Sequence, residues 1–186
     1  MKATLQHVTK CYQGQMVLND VTLTLEGTTV LMAPSGQGKT TLARLLLGLE
    51  QPDSGSVFVD GTLAAVFQED RLCSHLTAVE NITLVCGASA KEEAITALQA
   101  LGLTQEDCQK PAAKLSGGQA RRVALVRAML APADGVVLDE PFKGLDDATR
   151  FAAIGWTKQR LAGRWLLLIT HSKQEAQEFG GTQLCW

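Results

Sequence analysis

The chain has no basic tract. Its 17 lysines and arginines stand against 19 acidic residues, a formal net charge of −2 over 186 residues. Non-specific binding of nucleic acid or anionic lipid draws on a concentrated positive surface, which this sequence does not offer. Long hydrophobic runs are missing too. The longest are as short as Trp165 to Ile169, whereas a membrane-spanning helix needs about 20 apolar residues. Met1-Lys2-Ala3-Thr4 has none of the apolar character of a signal peptide. The five cysteines, Cys11, Cys73, Cys86, Cys108 and Cys185, are odd in number and include no Cys-x-x-Cys. That disfavours both a zinc site and a disulfide framework, and leaves reduced, buried thiols in a cytosolic protein as the expectation. There is no internal repeat and no low-complexity linker.

What remains is the composition of a soluble globular domain, 46% hydrophobic and 19% charged. The length suits one domain with a core that needs no disulfide staples. Val21, Leu23 and Leu25 alternate with threonines, the period-2 signal of a half-buried strand. Val30-Leu31-Met32 is a short apolar run. Leu42, Leu45, Leu46 and Leu49 fall at helical spacing, so a helix begins near Lys39 and ends before Pro52. Val57-Phe58-Val59 and Ala64-Ala65-Val66 read as strands joined by a hairpin-type turn at Asp60-Gly61. Residues 70–130 read mostly as helices, Lys91 to Leu101 among them. Strands return at Gly135–Leu138 and Trp165–Ile169, with a helix over Asp147 to Leu161 between them. Strands alternating with helices predict a parallel α/β sheet, interrupted by a helical insertion.

Ala33-Pro34-Ser35-Gly36-Gln37-Gly38-Lys39-Thr40, with Thr41 after it, follows a strand and opens a helix. That is the setting of a Walker A phosphate loop. Its backbone N–H groups and the helix N-terminus attract phosphate, Lys39 can reach the β- and γ-phosphates, and Thr40 can ligate Mg²⁺. The strict pattern has glycine at position 33, where this chain has alanine. Gly135-Val136-Val137-Leu138-Asp139-Glu140 is an apolar strand ending in two carboxylates. Ligands of such sheets sit beyond the carboxyl ends of the strands, so one acid can hold Mg²⁺ and the other can polarise an attacking water. Taken alone, the same pair fits a helix cap.

Leu115-Ser116-Gly117-Gly118-Gln119 resembles the signature motif of ATP-binding cassette (ABC) ATPases. Ser116 and Gln119 also have capping-box spacing, ahead of an apolar face at Val123, Val126 and Leu130. The resemblance extends over nearly the whole chain. It implies a P-loop core with a parallel sheet, an antiparallel β N-terminal subdomain and a helical insertion. The core would take residues 1–69 and 131–186 and the insertion about 70–130, in one ABC ATPase domain over 1–186. It implies that Tyr12 stacks on adenine. Gln68 would be the Q-loop glutamine, contacting Mg²⁺ and the attacking water. Glu140 would polarise that water, Asp139 would hold the metal, Asp146 would belong to the D-loop, and His171 would contact the γ-phosphate. Family members work as head-to-tail dimers around two ATP molecules. Each site takes Tyr12, Ala33 to Thr41, Gln68, Asp139, Glu140 and His171 from one protomer, and Ser116 to Gln119 and Asp146 from the other.

Phe67 to Leu72 and Leu76 to Ile82 resemble bacterial importer ATPases of the nitrate, sulfonate and taurine type. The implied partners are a second ATPase subunit, separate membrane permease subunits and an extracytoplasmic binding protein, with no nucleic acid. The implied place is the cytoplasmic face of the membrane. The stretch from Gly61 to Gln68 is shorter than in the family, and the segment after His171 is short. A sheet trimmed at its edges, lacking the terminal strands, is therefore expected. His171 is followed by Ser172 where importers often have Asp. Two other classes stay open: a soluble non-transport cassette ATPase, whose usual long insertions this chain lacks, and a catalytically weak module that dimerises on ATP. Lys39, Asp139, Glu140 and His171 argue against the second of these.

Overall fold

A computed structural model describes residues 1–32, 34 and 36–185, with Cys185 described by its backbone alone. In chain order the elements are β1 (Lys2–Tyr12), β2 (Gln15–Glu26), β3 (Thr28–Met32), α1 (Lys39–Leu46), β4 (Ser54–Val59), β5 (Leu63–Val66), α2 (Ala78–Cys86), α3 (Lys91–Ala100), α4 (Gln105–Gln109), α5 (Gly117–Leu130), β6 (Gly135–Asp139), α6 (Asp147–Leu161), β7 (Trp165–Ile169), α7 (Lys173–Phe179) and β8 (Thr182–Cys185). Contacts divide the chain into two compact units. The first comprises Met1–Ala65, Ala133–Asp139 and Gly163–Trp186, and the second Val66–Pro132 and Glu140–Ala162.

The first unit carries the sheets. β2, β1 and β4 form an antiparallel three-stranded sheet, and a second sheet runs in the order β5-β6-β7-β3-β8. β6, β7, β3 and β8 are mutually parallel. β6 and β7 are buried at every position, as continuous apolar strands of parallel sheets are. Leu5, Leu25, Leu31, Leu42, Val137 and Leu167 meet in the core of this unit. In β2 the leucines and Val21 turn inward while Thr22 and Thr24 face out.

Four expectations need correction here. The helix after the phosphate loop ends at Leu46, because Gly48 takes a left-handed conformation at φ 66°; Leu49 is consequently exposed. β4 and β5 are not a hairpin. β4 pairs with β1, while β5 joins the other sheet. The turn between them is held instead by Asp134, whose Oδ2 accepts from the Thr62 N–H at 2.8 Å and hydroxyl at 2.9 Å. A strand does follow His171: β8 adds to the edge beside β3. Of the thiols, Cys108 is buried but Cys11, Cys73 and Cys86 are half-buried, and all four are free.

The second unit is helical. α2 packs against α5 and α3, burying Ile82, Leu98, Val123 and Val126. Capping boxes start α2 at Thr77 and Glu80, α4 at Thr104 and Asp107, and α5 at Ser116 and Gln119. Each satisfies N–H groups that the helix itself cannot. Among the described residues, no helix is long and apolar enough to cross a membrane.

Candidate active site

Three neighbouring parallel strands set the site. In register, Asp139 of β6 lies opposite Ile169 of β7, and Ile169 opposite Leu31 of β3. The carboxyl ends of all three therefore open on one edge of the sheet. The loop into α1, Asp139 and the turn bearing His171 emerge together there, where α/β sheets place ligands.

Among the described residues no side chain caps the N–H groups of the first turn of α1, and no acid in that turn offsets the positive end of the helix dipole. Gly38 makes this start possible. Its φ is 76°, and a Cβ there would come within 2.8 Å of Leu18 Cδ2 and 3.0 Å of the Val17 carbonyl. Ala33 and Ser35, two of the expected loop residues, lie outside the described residues. Pro34, Gly36 and Gln37 are exposed, and Gly38 and Lys39 are buried.

Lys39 is 6% exposed. Its Nζ donates to the Pro34 carbonyl at 2.9 Å and lies 3.4 Å from His171 Nε2. An ammonium has no acceptor, so this contact aims the lone pair of Nε2 at Lys39. Thr40 Oγ1 donates to Asp139 Oδ2 at 3.0 Å, and Asp139 is fully buried. The expected phosphate-loop lysine and threonine, the first acid of the strand and the histidine are therefore brought into direct contact. The His171 turn is fixed in its own right. The buried Thr170 hydroxyl donates to Glu175 Oε2, and Ser172 caps α7 by accepting from the Glu175 N–H at 3.3 Å. Serine and aspartate cap comparably well, so Ser172 does the local work that an aspartate would.

Tyr12, at the end of β1, belongs to the first unit as well, whereas Gln68, Glu140, Ser116 to Gln119 and Asp146 lie in the second. Glu140 follows Asp139 with φ 51°, a left-handed conformation that costs a non-glycine residue about 1–2 kcal/mol. Gln68 is exposed, and its carbonyl accepts from Arg121 Nη2. Arg121 also donates to the Phe67 carbonyl at 2.5 Å and pairs with Asp70 at 3.1 Å. Burial nevertheless pushes the Asp70 carboxyl above its ordinary value, against the pull of Arg121 and Arg127. Arg127 donates to the Arg71 carbonyl at 2.9 Å and the Asp70 carbonyl at 3.0 Å. Two arginines of α5 thus pin the backbone on either side of Gln68. In the signature segment, Ser116 Oγ accepts from the Gln119 N–H at 3.2 Å, and Gln119 Oε1 from the Ser116 N–H at 2.8 Å. Gly117 is exposed. Asp146 caps α6 by accepting from the Thr149 N–H at 3.0 Å. Hydrogen bonds from the Thr149 side chain and backbone hold its carboxyl below the usual range.

A family profile described as ABC transporter matches residues 18–143. The chain belongs to the ABC transporter family of ATP-binding cassettes. This cassette is 38% identical over 184 residues to the aliphatic sulfonates import ATP-binding protein SsuB of Corynebacterium glutamicum, covering 94% of this chain and 75% of that one. It is 38% identical over 181 residues to the taurine import ATP-binding protein TauB of Pseudomonas aeruginosa, covering 88% and 69%. Among solved structures it resembles a dimeric, post-hydrolysis state of the ATP-binding cassette MJ0796 bound to ADP and Pi. There the TM-score is 0.90 at 26% identity, over 98% of this chain and 93% of that one. The α/β cassette fold and the resemblance to importer ATPases expected from the sequence are both met. Several residues that organise the cassette went unnoticed in the sequence: Arg121, Arg127, Glu50 and the buried Asn81. For Arg127 a signal was present, since it stands inside the otherwise apolar run from Val123 to Leu130.

Proposed function

We propose that this cassette binds and hydrolyses ATP as the energy subunit of a membrane importer, and that it works as a head-to-tail pair with a second cassette. The observation that carries this is the cluster at the sheet edge: Lys39, His171, Thr40 and Asp139 in mutual contact beside an uncapped helix start. ATP is the substrate. The α1 N–H groups and Lys39 bind its phosphates, and Tyr12 stacks on its base. His171 touches the terminal phosphate and reports its presence to the sheet edge.

Mg²⁺ fits the residues present. Thr40 Oγ1 and Asp139 Oδ2 are hard oxygen donors 3.0 Å apart. Among the described residues, no group of three or more His, Cys, Asp or Glu could hold a metal. That donor set suits a cation that keeps waters and substrate oxygens in its shell. Thr40, Asp139 and the exposed Gln68 would hold it, and when bound it neutralises charge on the phosphate oxygens. Glu140 accepts a hydrogen bond from the attacking water and aligns it with the terminal phosphate, giving ADP and phosphate. Ser116 to Gln119 and Asp146 serve the nucleotide of the opposing cassette, so ATP bridges the pair and its hydrolysis releases them.

Similarity to SsuB and TauB supports the importer assignment. With it come a separate permease, a location on the inner face of the membrane and an extracytoplasmic binding protein. The test is Mg²⁺-dependent phosphate release across a protein concentration series. Specific activity rises with concentration and disappears in Glu140→Gln. Absence of phosphate release, or wild-type turnover in Glu140→Gln, overturns the proposal.

A further inference from the structure

We propose that Glu50 is a positioning residue for nucleotide binding: it holds the Tyr12 ring in place for the base, through a chain that ends on the phosphate-binding helix. The proposal rests on the stacking role given to Tyr12 above.

Tyr12 is the last residue of β1, opposite Gln15 at the tip of the β1–β2 hairpin. An aromatic at a hairpin tip has little packing of its own to fix it, and this one is 37% exposed. Its hydroxyl, however, donates to Glu50 Oε2. The other carboxylate oxygen, Oε1, accepts from Arg44 Nη1 at 3.0 Å. Arg44 lies in the last turn of α1, the helix whose first turn carries Lys39, Thr40 and Thr41. The ring and the phosphate site are thus tied to one rigid element from its two ends.

The loop after α1 makes further ties to the same strand end. Lys10 Nζ lies 5.6 Å from the Tyr12 ring centroid and donates to the Gln51 carbonyl at 2.8 Å and to Asp53 Oδ1 at 3.0 Å. Asp53 Oδ2 accepts from the Cys11 N–H at 2.7 Å, and the Asp53 N–H donates to the Thr9 carbonyl at 2.9 Å. These bonds hold the strand, while the bond to Glu50 and a side-chain bond to Thr41 of α1 restrain the far end of the ring. A ring already held in its bound orientation loses less freedom when a base stacks on it. Glu50 therefore acts on base affinity and leaves phosphate affinity alone.

The experiment compares calorimetric binding of a non-hydrolysable ATP analogue with that of inorganic tripolyphosphate, which has no base. It uses wild type, Glu50→Ala, Glu50→Gln, Tyr12→Phe, Tyr12→Ala and the double variant Glu50→Ala/Tyr12→Phe. Glu50→Ala is expected to weaken the analogue about three- to tenfold, the scale of one immobilised side chain, with tripolyphosphate unchanged. Glu50→Gln, which still accepts the phenol hydrogen, restores most of the loss. Adding Tyr12→Phe to Glu50→Ala costs less than the sum of the two single changes, because both remove the bond between Tyr12 and Glu50. In turnover, KM rises while kcat holds. If Tyr12→Ala weakens the analogue but Glu50→Ala does not, the positioning role is refuted and the stacking role survives. Equal weakening of analogue and tripolyphosphate by Glu50→Ala refutes it as well, since that is the mark of a general structural loss. If Tyr12→Ala leaves the analogue unaffected, the stacking role fails and this proposal fails with it.

Discussion

Replacing Gly117 by alanine separates what α5 does for its own chain from what it does for a nucleotide. Gly117 is the first residue of the helix, after the Ser116 cap. A Cβ built there meets nothing within 4 Å, and its φ lies outside the left-handed region. Nothing within the described residues therefore calls for glycine. Alanine at a compatible backbone position stabilises by about 0.4–1 kcal/mol, chiefly by restricting the unfolded chain. With a urea slope of about 2 kcal/mol/M, the unfolding midpoint should rise by about 0.2–0.5 M. If the opposing cassette's triphosphate approaches this N–H, the added methyl obstructs it, and losing one such donor costs about 100- to 1000-fold in rate. The expected variant is thus slightly more stable and nearly inactive. Ser116 makes a poorer test, because its loss also removes a cap that contributes about 1 kcal/mol. Phosphate release and urea unfolding measured on the same preparation decide the matter. Undiminished hydrolysis refutes the contact in trans, and lost stability refutes the open geometry around Gly117.

Gly38→Ala combines left-handed strain with a clash against Leu18 and Val17; a loss of about 2–4 kcal/mol in urea unfolding is expected. Asn81 is fully buried, and its side chain bonds the Cys73 N–H at 2.7 Å and the carbonyls of Cys73, Leu76 and Thr77 at 3.1, 3.2 and 3.0 Å. Asn81→Leu strands the Cys73 N–H, while the three carbonyls keep backbone partners, and a cost of about 1–3 kcal/mol follows, with faster amide exchange at Cys73. Hydrogen bonds hold six carboxyls below their ordinary range: from the Tyr12 hydroxyl to Glu50, the Cys11 N–H to Asp53, the Thr77 N–H to Glu80, the Lys110 ammonium to Asp107, the Thr62 N–H to Asp134 and the Thr149 side chain to Asp146. Their contribution is fully present above the unfolded values near pH 4. It is lost as the pH falls through the lower folded values, because the unfolded chain takes up protons first. Asp70, raised by burial, works in the opposite sense but is a single group. The urea midpoint should be flat from about pH 8 to 5.5 and fall below about pH 4; a midpoint that rises on acidification contradicts the assignment.

The parts of the cassette visible in its sequence are those written in local pattern. The phosphate loop lies between a strand and a helix, and β6 ends in Asp139 and Glu140. The signature segment carries its own capping box, now seen between Ser116 and Gln119. Contact between Thr40 and Asp139 followed from sheet topology, because β3 and β6 flank β7 in parallel and open on one edge. What stayed hidden depends on partners far along the chain. β4 and β5 looked like a hairpin because a short turn joins them; their separation is decided by pairing with β1 on one side and β6 on the other. Glu50 reads as a surface acid until the fold brings Tyr12 to it. Arg121 and Arg127 read as solvated charges on a helix, yet their partners are carbonyls more than fifty positions earlier. Leu49 kept the helical spacing, but Gly48 had already ended the helix.

The central claim is that ATP joins two copies of this chain through Ser116 to Gln119. The most direct measurement is sedimentation velocity of Glu140→Gln, with ATP, with ADP and without nucleotide. The account predicts the mass of one chain without nucleotide and with ADP. With ATP it predicts twice that mass, and the doubling is abolished when Gly117→Ala is added. A variant that binds ATP yet keeps the mass of a single chain at every concentration would contradict it.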